Sequence, residues 1–326
     1  MLKYIYGAVM SLALGYVHGQ NNLVPNPSFE VFDSCPTAGG EIRYANNWRG
    51  GSTYSSPDYF NVCAPSLGYG VPASLHGSQN ARTGNGYAGI VTSTNNPLWP
   101  FQNECREYIQ AELIQPLIAG LTYEVSFYVS RSDSSEYISN NIGAYFSVNP
   151  DTINTPSGYN VFPYTPQVDN PLTNPLDNDS GWTKVSGTFV ANGGEKYLMI
   201  GNFHDSQNTS VVFVGGCTAC SYGYFGFYFI DDVSVVLMAE PTGGLNSDLH
   251  TRNLVYPQPT EGIFYLRKAP QSEDSWFEVL NGQGSVVKAG PVESQVQMID
   301  LNGLPNGIYY LKTDSGLNEI MRVLKR

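Results

Sequence analysis

The chain of 326 residues is long enough for one large domain or two modest ones with their own hydrophobic cores. Charged residues make up 13% of it, against roughly 25% in ordinary soluble proteins, whereas Gly, Pro and Tyr are abundant. This composition excludes a collagen-like or helical membrane protein and is typical of secreted, turn-rich β proteins. A net charge of -12 argues against nucleic acid or an anionic membrane as partner, because clustered Lys and Arg bind phosphate groups.

Residues 1–19 have the pattern of a secretory signal peptide. Lys3 precedes an apolar run from Ile5 to Val17, and small or polar residues follow around Gly19. The run is shorter than the roughly 20 residues that a helix needs to cross a bilayer, so a membrane anchor is the weaker interpretation. No later segment predicts a transmembrane helix. We expect the mature protein to be secreted or held at the outer-membrane cell surface.

Residues 20–238 predict an all-β domain. Apolar and polar side chains alternate through Leu121–Val129, and the same period of two recurs in Ile142–Val148 and Phe225–Met238. Many such strands, separated by Gly, Pro and Asn turns, predict a jelly-roll β-sandwich. Residues 149–180 hold six Pro residues and show no period, which predicts a long loop over the sandwich.

The remaining chain predicts a linker and a second, smaller domain. Residues 239–250 contain Pro and Gly without periodicity, which is typical of a linker. Residues 251–326 predict a small Ig-like β-sandwich, in which a Pro-rich turn opens an alternating strand and an Asn-Gly turn joins two short strands. The segment MIDLNGLPNGIYYL repeats this pattern before a basic end.

The order of these pieces resembles a known family of export signals. LVYPQP, LPNGIYY and the terminal Lys325-Arg326 are similar to the C-terminal sorting domains of the type IX secretion system of Bacteroidetes. Gln258 stands where that family usually has Asn. The resemblance implies that the tail is a transport signal, recognised by the type IX secretion machinery and usually removed outside the cell.

The two ends of the 20–238 domain carry a second resemblance. NLVPNPSFE at its start and FYFIDDVSV at its end are similar to the terminal strands of galactose-binding-like jelly rolls, a group that includes many noncatalytic carbohydrate-binding modules. Inner segments such as VPASLHGSQNARTGNGYAGI resemble a group of Bacteroidetes surface proteins. The resemblance implies the fold but identifies no ligand, because one fold hosts many functions.

The same resemblance implies a metal site. In galactose-binding-like jelly rolls a structural calcium ion commonly joins the first and last strands, and Glu30 and Asp231 occupy the positions of its carboxylate ligands. Calcium prefers carboxylate and carbonyl oxygens, so we expect these two residues to bind it. The alternative is that both are solvated strand ends. In a regular strand, Asp232 would point to the opposite face.

Five cysteines in an exported chain favour disulfides over zinc. Cys35 and Cys63 are the best pair. Cys217 and Cys220 either close a tight loop or provide a partner for Cys105, and one thiol is left over. The connectivity beyond the first pair stays open in the sequence.

Catalytic and zinc-binding patterns are weak. His204 followed by Cys217 and Cys220 supplies three ligands for zinc without a certain fourth, and the oxidising compartment disfavours it. The chain has no G-x-S-x-G and no H-E-x-x-H motif, and mature histidines are few. Glu104 and Glu107 form a pair of acids that any acidic protein offers, so they do not indicate a glycosidase. We expect a noncatalytic protein.

Aromatic residues in loop regions are the main clue to a ligand. A sugar ring stacks its C–H face on Trp or Tyr, while neighbouring polar side chains bind its hydroxyl groups. The loop set is Trp48, Tyr54, Tyr59, Tyr69, Trp99, Tyr222, Tyr224 and Phe225. For any one of them, core packing is the more common role. The residues that we expect to stack are Trp48, Tyr59 and Trp99, and those that we expect to make polar contacts are Asp58, Gln79 and Arg82.

The sequence therefore predicts an exported, noncatalytic protein that binds a glycan or polysaccharide. The alternatives are a surface adhesion or structural protein without a sugar pocket, and a polysaccharide hydrolase. Residues 20–250 hold seven basic and twenty acidic side chains, a net charge of -13, whereas residues 252–326 hold eight of each sign. The acidic character thus lies in the first domain, where it fits calcium and a neutral glycan better than an anionic partner.

Overall fold

The computed structural model describes residues 22–51, 55–65, 68–94, 105–151, 161–215, 224–238, 253–269, 272, 274–314 and 320–326. The predicted signal peptide, residues 1–19, and the predicted linker, residues 239–250, lie outside these ranges. The elements are η1 (Ile42–Tyr44), β1 (Trp48–Gly50), β2 (Asp58–Asn61), β3 (Ala73–Ser74), β4 (Gly77–Ser78), β5 (Gly86–Thr94), β6 (Tyr108–Glu112), β7 (Thr122–Arg131), β8 (Tyr137–Ser139), β9 (Gly143–Ser147), β10 (Val168–Asp169), β11 (Thr183–Val190), β12 (Tyr197–Gly201), β13 (Val211–Phe213), β14 (Phe225–Leu237), β15 (Leu254–Tyr256), β16 (Ile263–Arg267), β17 (Trp276–Leu280), β18 (Val286–Pro291), β19 (Val296–Asp300), β20 (Gly307–Thr313) and β21 (Ile320–Lys325).

Two five-stranded antiparallel sheets form the first domain. The front sheet has the order β1-β6-β12-β9-β10, and the back sheet has the order β11-β7-β14-β5-β2. Strands that are distant in sequence are neighbours in both sheets, and β14, the last strand of the domain, lies between β7 and β5. The prediction of an all-β sandwich is confirmed.

The hydrophobic core lies between the two sheets. Alternation along β7 turns Tyr123, Val125, Phe127 and Val129 inward, as the period of two predicts. The front sheet contributes inward side chains in the same way; among them are Ile109, Ala144, Phe146, Leu198 and Ile200. This core holds the strands of both sheets in place, and some of these strands also carry side chains on the outer face of the back sheet.

Two of the expected stacking residues, Trp48 and Tyr59, belong to this core. Trp48 is 3% exposed, and its indole N–H donates to the carbonyl oxygen of Asn26 at 2.8 Å. Tyr59 is fully buried, and its hydroxyl donates to the carbonyl oxygen of Phe29 at 2.9 Å. The prediction that these rings stack on a sugar is wrong. Both lie on strands, where alternation turns them inward, rather than in loops.

The C-terminal segment forms a second, smaller β-sandwich. One sheet has the order β15-β16-β19 and the other the order β18-β17-β20-β21. Their facing side chains form a separate core whose buried members are Phe264, Leu266, Phe277, Val279, Val292, Ile299, Leu301, Tyr309, Leu311 and Val323. All strand pairs of this sandwich are antiparallel.

The burial of Trp48 predicts a structural role that can be measured. Trp48→Ala should lower the free energy of unfolding by about 3–5 kcal/mol, because it removes a buried aromatic side chain and leaves a cavity. The matched control is Trp276→Ala, which removes the same group from a position that is 46% exposed. Thermal or urea unfolding of the full chain compares the two. Equal losses for both variants would contradict the placement of Trp48 in the core.

Candidate ligand pocket

The outer surface of the back sheet carries a second apolar cluster. Phe60 of β2, Tyr87 of β5, and Phe227 and Phe229 of β14 are buried on this surface. Residues 62–65 and 68–82 cross over them and contribute Tyr69, Val71 and Ala81 to the cluster. We call residues 62–65 and 68–82 the covering segment. It hides an apolar sheet face from water and forms one wall of a pocket.

A cavity of about 290 Å³ lies beside the covering segment. We call it the Asp58 pocket. Its described lining residues are Gly39, Ser56, Asp58, Tyr69, His76, Val91, Cys105, Glu107, Phe225 and Phe227. Gly39 and Ser56 are exposed and Tyr69 and Phe225 are half-buried, so they form its mouth, whereas the carboxyl groups, the imidazole and the thiol are buried.

Asp58 is the residue that the sequence analysis and the pocket share. It lies on β2 two residues before Phe60, so alternation points it to the outer face. Its Oδ1 accepts the backbone N–H of Gly40 at 2.8 Å, and its Oδ2 lies 3.3 Å from Nε2 of His76. Burial, and then the negative charge of Glu107, raise the pKa of Asp58 well above its ordinary value. Asp58 therefore keeps its proton to higher pH than an ordinary aspartate does.

His76 provides a neutral ring at the floor of the pocket. It lies between β3 and β4 and stacks on Phe227, with ring centroids 4.0 Å apart and an interplanar angle of 10°. Phe60 meets the imidazole edge-on, with centroids 5.9 Å apart. Burial lowers the pKa of His76 to about 4. Its neutral imidazole has one N–H donor and one acceptor nitrogen.

Glu107 joins two walls of the pocket. Its Oε1 accepts the backbone N–H and the hydroxyl of Ser56, both at 3.1 Å, and its Oε2 accepts the backbone N–H of Val91 at 3.0 Å. Burial raises the pKa of Glu107, although these hydrogen bonds oppose the rise. Glu107 thus fixes the segment before β2 against β5 and places a second acid below the cavity.

Cys105 contributes an apolar patch to the wall. It is buried and forms no disulfide, and burial raises the pKa of its thiol, which makes the thiol a poor nucleophile. Cys217 and Cys220, which we expect either to close a tight loop or to provide a partner for Cys105, lie outside the described residues. His204, the third member of the zinc pattern, places its Nε2 at 2.6 Å from Oδ2 of Asp169.

The other expected ligand residues do not line the pocket. Gln79 is buried in the covering segment, where its amide donates to the carbonyl oxygen of Gly181 at 3.2 Å. The guanidinium of Arg82 lies 3.4 Å from the ring centroid of Tyr128. Both side chains contact β7 and so hold this part of the chain against the back sheet. These contacts leave them unavailable to a ligand in the pocket. Trp99 lies outside the described residues.

His76, Glu107 and Phe227 are among the pocket residues that the sequence did not indicate as ligand residues. Phe225 belonged to the aromatic loop set, and Phe227 follows it at a spacing of two, which places both rings on one face of a strand. Glu107 likewise follows Cys105 at a spacing of two, just before β6. Such spacings indicate a shared face, but they do not indicate that another segment of the chain closes a cavity over it.

The expected calcium ligands, Glu30 and Asp231, both bind the turn at residues 82–86. Oε1 of Glu30 accepts the backbone N–H groups of Asn85 and Gly86, at 2.7 and 2.9 Å. Oδ2 of Asp231 accepts the first two N–H groups of the turn, at 2.8 and 3.2 Å. The two acids therefore meet at one turn, where their oxygens accept backbone N–H groups.

Asp232 reaches the same turn because β14 is not regular there. The register shifts between Asp231 and Ser234, and Asp232 has a φ of 49°. Its Oδ1 accepts the hydroxyls of Ser28 and Thr83, at 2.5 and 2.6 Å. Asp232 and Asp231 therefore do not point to opposite faces as they would in a regular strand.

This donor set does not fit calcium. All six carboxylate oxygens of Glu30, Asp231 and Asp232 accept N–H or O–H donors of the protein. Calcium needs about six to eight oxygen ligands directed at the ion. The described residues contain no group of three His, Cys, Asp or Glu arranged to hold a metal. We call the three acids the carboxylate clamp, because they hold the turn at residues 82–86 by hydrogen bonds.

The structure contains the disulfide between Cys35 and Cys63, the pair that the sequence analysis selected. It joins the loop before η1 to the residues that follow β2. Gly39 and Gly40 lie in that loop, the first at the mouth of the Asp58 pocket and the second as the donor to Asp58. The disulfide therefore tethers the loop that forms one side of the pocket.

Residues 254–324 match the family model of the secretion system C-terminal sorting domain. This match indicates export by type IX secretion to the cell surface or the medium, as the sequence analysis predicts. Among the described residues, no helix combines the length and the apolar character needed to cross a bilayer. No curated protein sequence matches the chain.

Several solved structures are similar to the chain at low identity. The enzymatically active domain of tailspike protein 4 of bacteriophage CBA120 has 12% identity and a TM-score of 0.34, and the match covers 67% of this chain but 21% of the tailspike. The K1 cleaved adhesin domain of Lys-gingipain from Porphyromonas gingivalis W83 has 15% identity and a TM-score of 0.32, covering 65% and 96% of the two chains. TmCBM61 in complex with β-1,4-galactotriose has 15% identity and a TM-score of 0.28, covering 67% and 99%. These TM-scores are too low to indicate a shared function. The strand order of the two sheets identifies the β-sandwich.

The carboxylate clamp predicts how Glu30 contributes to stability. Glu30→Ala should lower the free energy of unfolding by about 1.5 kcal/mol, because two backbone N–H groups lose a charged acceptor. A chelator should not change the melting temperature of the wild type, and it should not change that of Glu30→Ala. Glu124→Ala, which removes an exposed acid of β7, is the control and should have a small effect. A chelator that destabilises the wild type but not Glu30→Ala would show instead that these oxygens bind calcium.

The burial of His76 predicts an unusual titration. Its ring resonances in NMR spectra should show no protonation from about pH 8 down to about pH 5, and in urea they should titrate near the ordinary value of about 6.5. Because the unfolded chain binds this proton at higher pH than the folded chain, this group lowers stability as the pH falls from about 6.5 to about 4. Titration of His76 near the ordinary value in the folded protein would contradict its burial.

Proposed function

We propose that this exported protein is a noncatalytic glycan-binding protein and that the Asp58 pocket holds one sugar residue. The observation that carries the proposal is a single cavity that combines half-buried aromatic rings at its mouth with buried hydrogen-bonding groups at its floor. Binding sites for small polar molecules have this composition, in which apolar walls contribute contact area and a few polar groups fix orientation.

The dimensions of the pocket support a single ring rather than a long chain. Its volume of about 290 Å³ is at the lower end of the roughly 300–1,000 Å³ of small-molecule sites. Tyr69 and Phe225 are placed to contact the C–H face of a pyranose ring, and Asp58 and His76 to bind its hydroxyl groups. The end of a polysaccharide, or a terminal sugar on a surface glycan, matches these dimensions.

The hydrogen bonds that Asp58 and Glu107 already accept from the protein favour binding over hydrolysis. Glycosidases need two carboxyl groups that are free to act on opposite sides of the bond that breaks. Both oxygens of Glu107 accept hydrogen bonds from the protein, and one oxygen of Asp58 accepts the N–H of Gly40. Glu107 is therefore better suited to hold the pocket together than to attack a substrate or transfer a proton.

The test is a glycan array followed by calorimetry on the purified full chain. Phe225→Ala should weaken binding of the selected glycan by about tenfold or more, because it removes a stacking ring. The matched control is Phe213→Ala, which removes the same side chain from a site that is 62% exposed and outside the pocket. Affinity should be unchanged in the control.

Three outcomes would count against the proposal. A blank array together with loss of cell attachment in a deletion strain would favour adhesion without a sugar pocket. Equal effects of Phe225→Ala and Phe213→Ala would place the binding surface elsewhere. Release of reducing ends from a bound polysaccharide, abolished by Asp58→Asn, would make the protein a hydrolase.

A further inference from the structure

We propose that the Asp58 pocket selects a positively charged amino sugar, one with a free primary amine, over its N-acetylated counterpart. The inference rests on the proposed function, because it names the class of sugar bound at the same site. The charges, the aromatic rings and the hydrogen-bonding groups of the pocket all favour an ammonium group.

The charged side chains among the described residues that line the cavity are acids. Arg106, whose charge acts on Cys105, lies outside this lining and donates to backbone carbonyl oxygens. Asp58 and Glu107 are its acids, and its described lining contains neither Lys nor Arg. A further acid, Glu41, acts on Asp58 through its charge. In a partly dehydrated site, opposite charges attract and like charges repel more strongly than in water. An acidic sugar would therefore be rejected, and an ammonium group would compensate the charge of the buried carboxyl groups.

The aromatic side chains add a second contribution. Tyr69, Phe225 and Phe227 line the cavity together with the ring of His76. The faces of aromatic rings attract cations, and this attraction increases when the cation is withdrawn from water. Rings beside carboxyl groups therefore form a site for an ammonium ion better than for a neutral amide.

The hydrogen-bonding groups match an ammonium group as well. An ammonium has three N–H donors and no acceptor, and an ionised carboxylate has acceptors alone. Oδ1 of Asp58 accepts one N–H from Gly40, which leaves further lone pairs on that carboxylate for the ligand. An N-acetyl group has one donor and a carbonyl acceptor, so it gains less from Asp58.

The ionisation of Asp58 provides an independent readout. Burial and the charge of Glu107 raise its pKa. The other titratable or charged groups near it are His76, Cys105 and Tyr69 of the lining, Glu41, and Arg106, whose charge acts on Cys105. A bound cation stabilises the ionised carboxylate, so binding should release protons from Asp58. Calorimetry in two buffers that differ in ionisation enthalpy measures this release.

The experiment compares two matched probes on the full chain, the trisaccharide of glucosamine and the trisaccharide of N-acetylglucosamine. The comparison is made at about pH 5, because the oxygens beside a sugar amine lower its pKa below the value of about 8 of an α-amino group, and at this pH the amines are mostly protonated. We expect the glucosamine trisaccharide to bind at least about tenfold more tightly, as one charge-assisted hydrogen bond predicts. Proton release should accompany its binding and not that of the acetylated probe.

The variant Asp58→Asn tests the residue itself. Asparagine retains an oxygen that accepts the N–H of Gly40 but loses the charge, so the preference for the amine should disappear while the acetylated probe binds as before. Unchanged near-UV circular dichroism shows that the variant is folded. Glu124→Gln, which neutralises an exposed acid of β7, is the control and should retain the preference.

The outcomes separate this inference from the proposed function. If both probes bind equally, or the acetylated one binds more tightly, the pocket is a sugar site without charge selection and the inference is wrong. If Asp58→Asn keeps the full preference, the charge lies elsewhere and the inference is also wrong. If neither probe nor any glycan of the array binds, the proposed function itself fails.

Discussion

Buried and half-buried acids that bind backbone N–H groups organise the loops of this protein. Residues 20–250 hold seven Lys and Arg side chains against twenty acidic ones, so basic partners are too few for most of the carboxylates. Glu30 and Asp231 accept the amides of the turn at residues 82–86, Glu41 accepts those of Thr37 and Ala38, and Glu195 accepts those of Asn192 and Gly193. Each carboxylate gains the hydrogen bonds that make its burial tolerable, and each loop gains a fixed conformation.

The two acids of the Asp58 pocket also accept backbone N–H groups, but Asp58 does so through one oxygen alone. Glu107 accepts the N–H groups of Ser56 and Val91 through both oxygens, as the loop-binding acids do. Asp58 accepts one N–H and keeps its other oxygen toward His76. Asp58 therefore differs from Glu107 in having one carboxylate oxygen that accepts no backbone N–H of the described residues, and it is this oxygen that the proposed ligand would contact.

The fold was accessible from the sequence because strand periodicity is local. The alternation through Leu121–Val129 predicted the inward face of β7, and the spacing of apolar runs predicted the sandwich. The individual ligand residues were less accessible. Trp48 and Tyr59 stand in short segments with loop-like composition, and their burial depends on a partner sheet that is distant in sequence. The roles of Glu30 and Asp231 depend in the same way on a turn that the chain brings between them.

The disulfide between Cys35 and Cys63 determines when the loop beside the pocket becomes covalently tethered. Thiols stay reduced in the cytoplasm and are oxidised after export. Before oxidation, the loop with Gly39 and Gly40 has no covalent link to the end of β2, so the N–H of Gly40 is held near Asp58 by weaker contacts alone. The loop beside the Asp58 pocket thus gains its covalent link after export, and the chain in transit lacks that link.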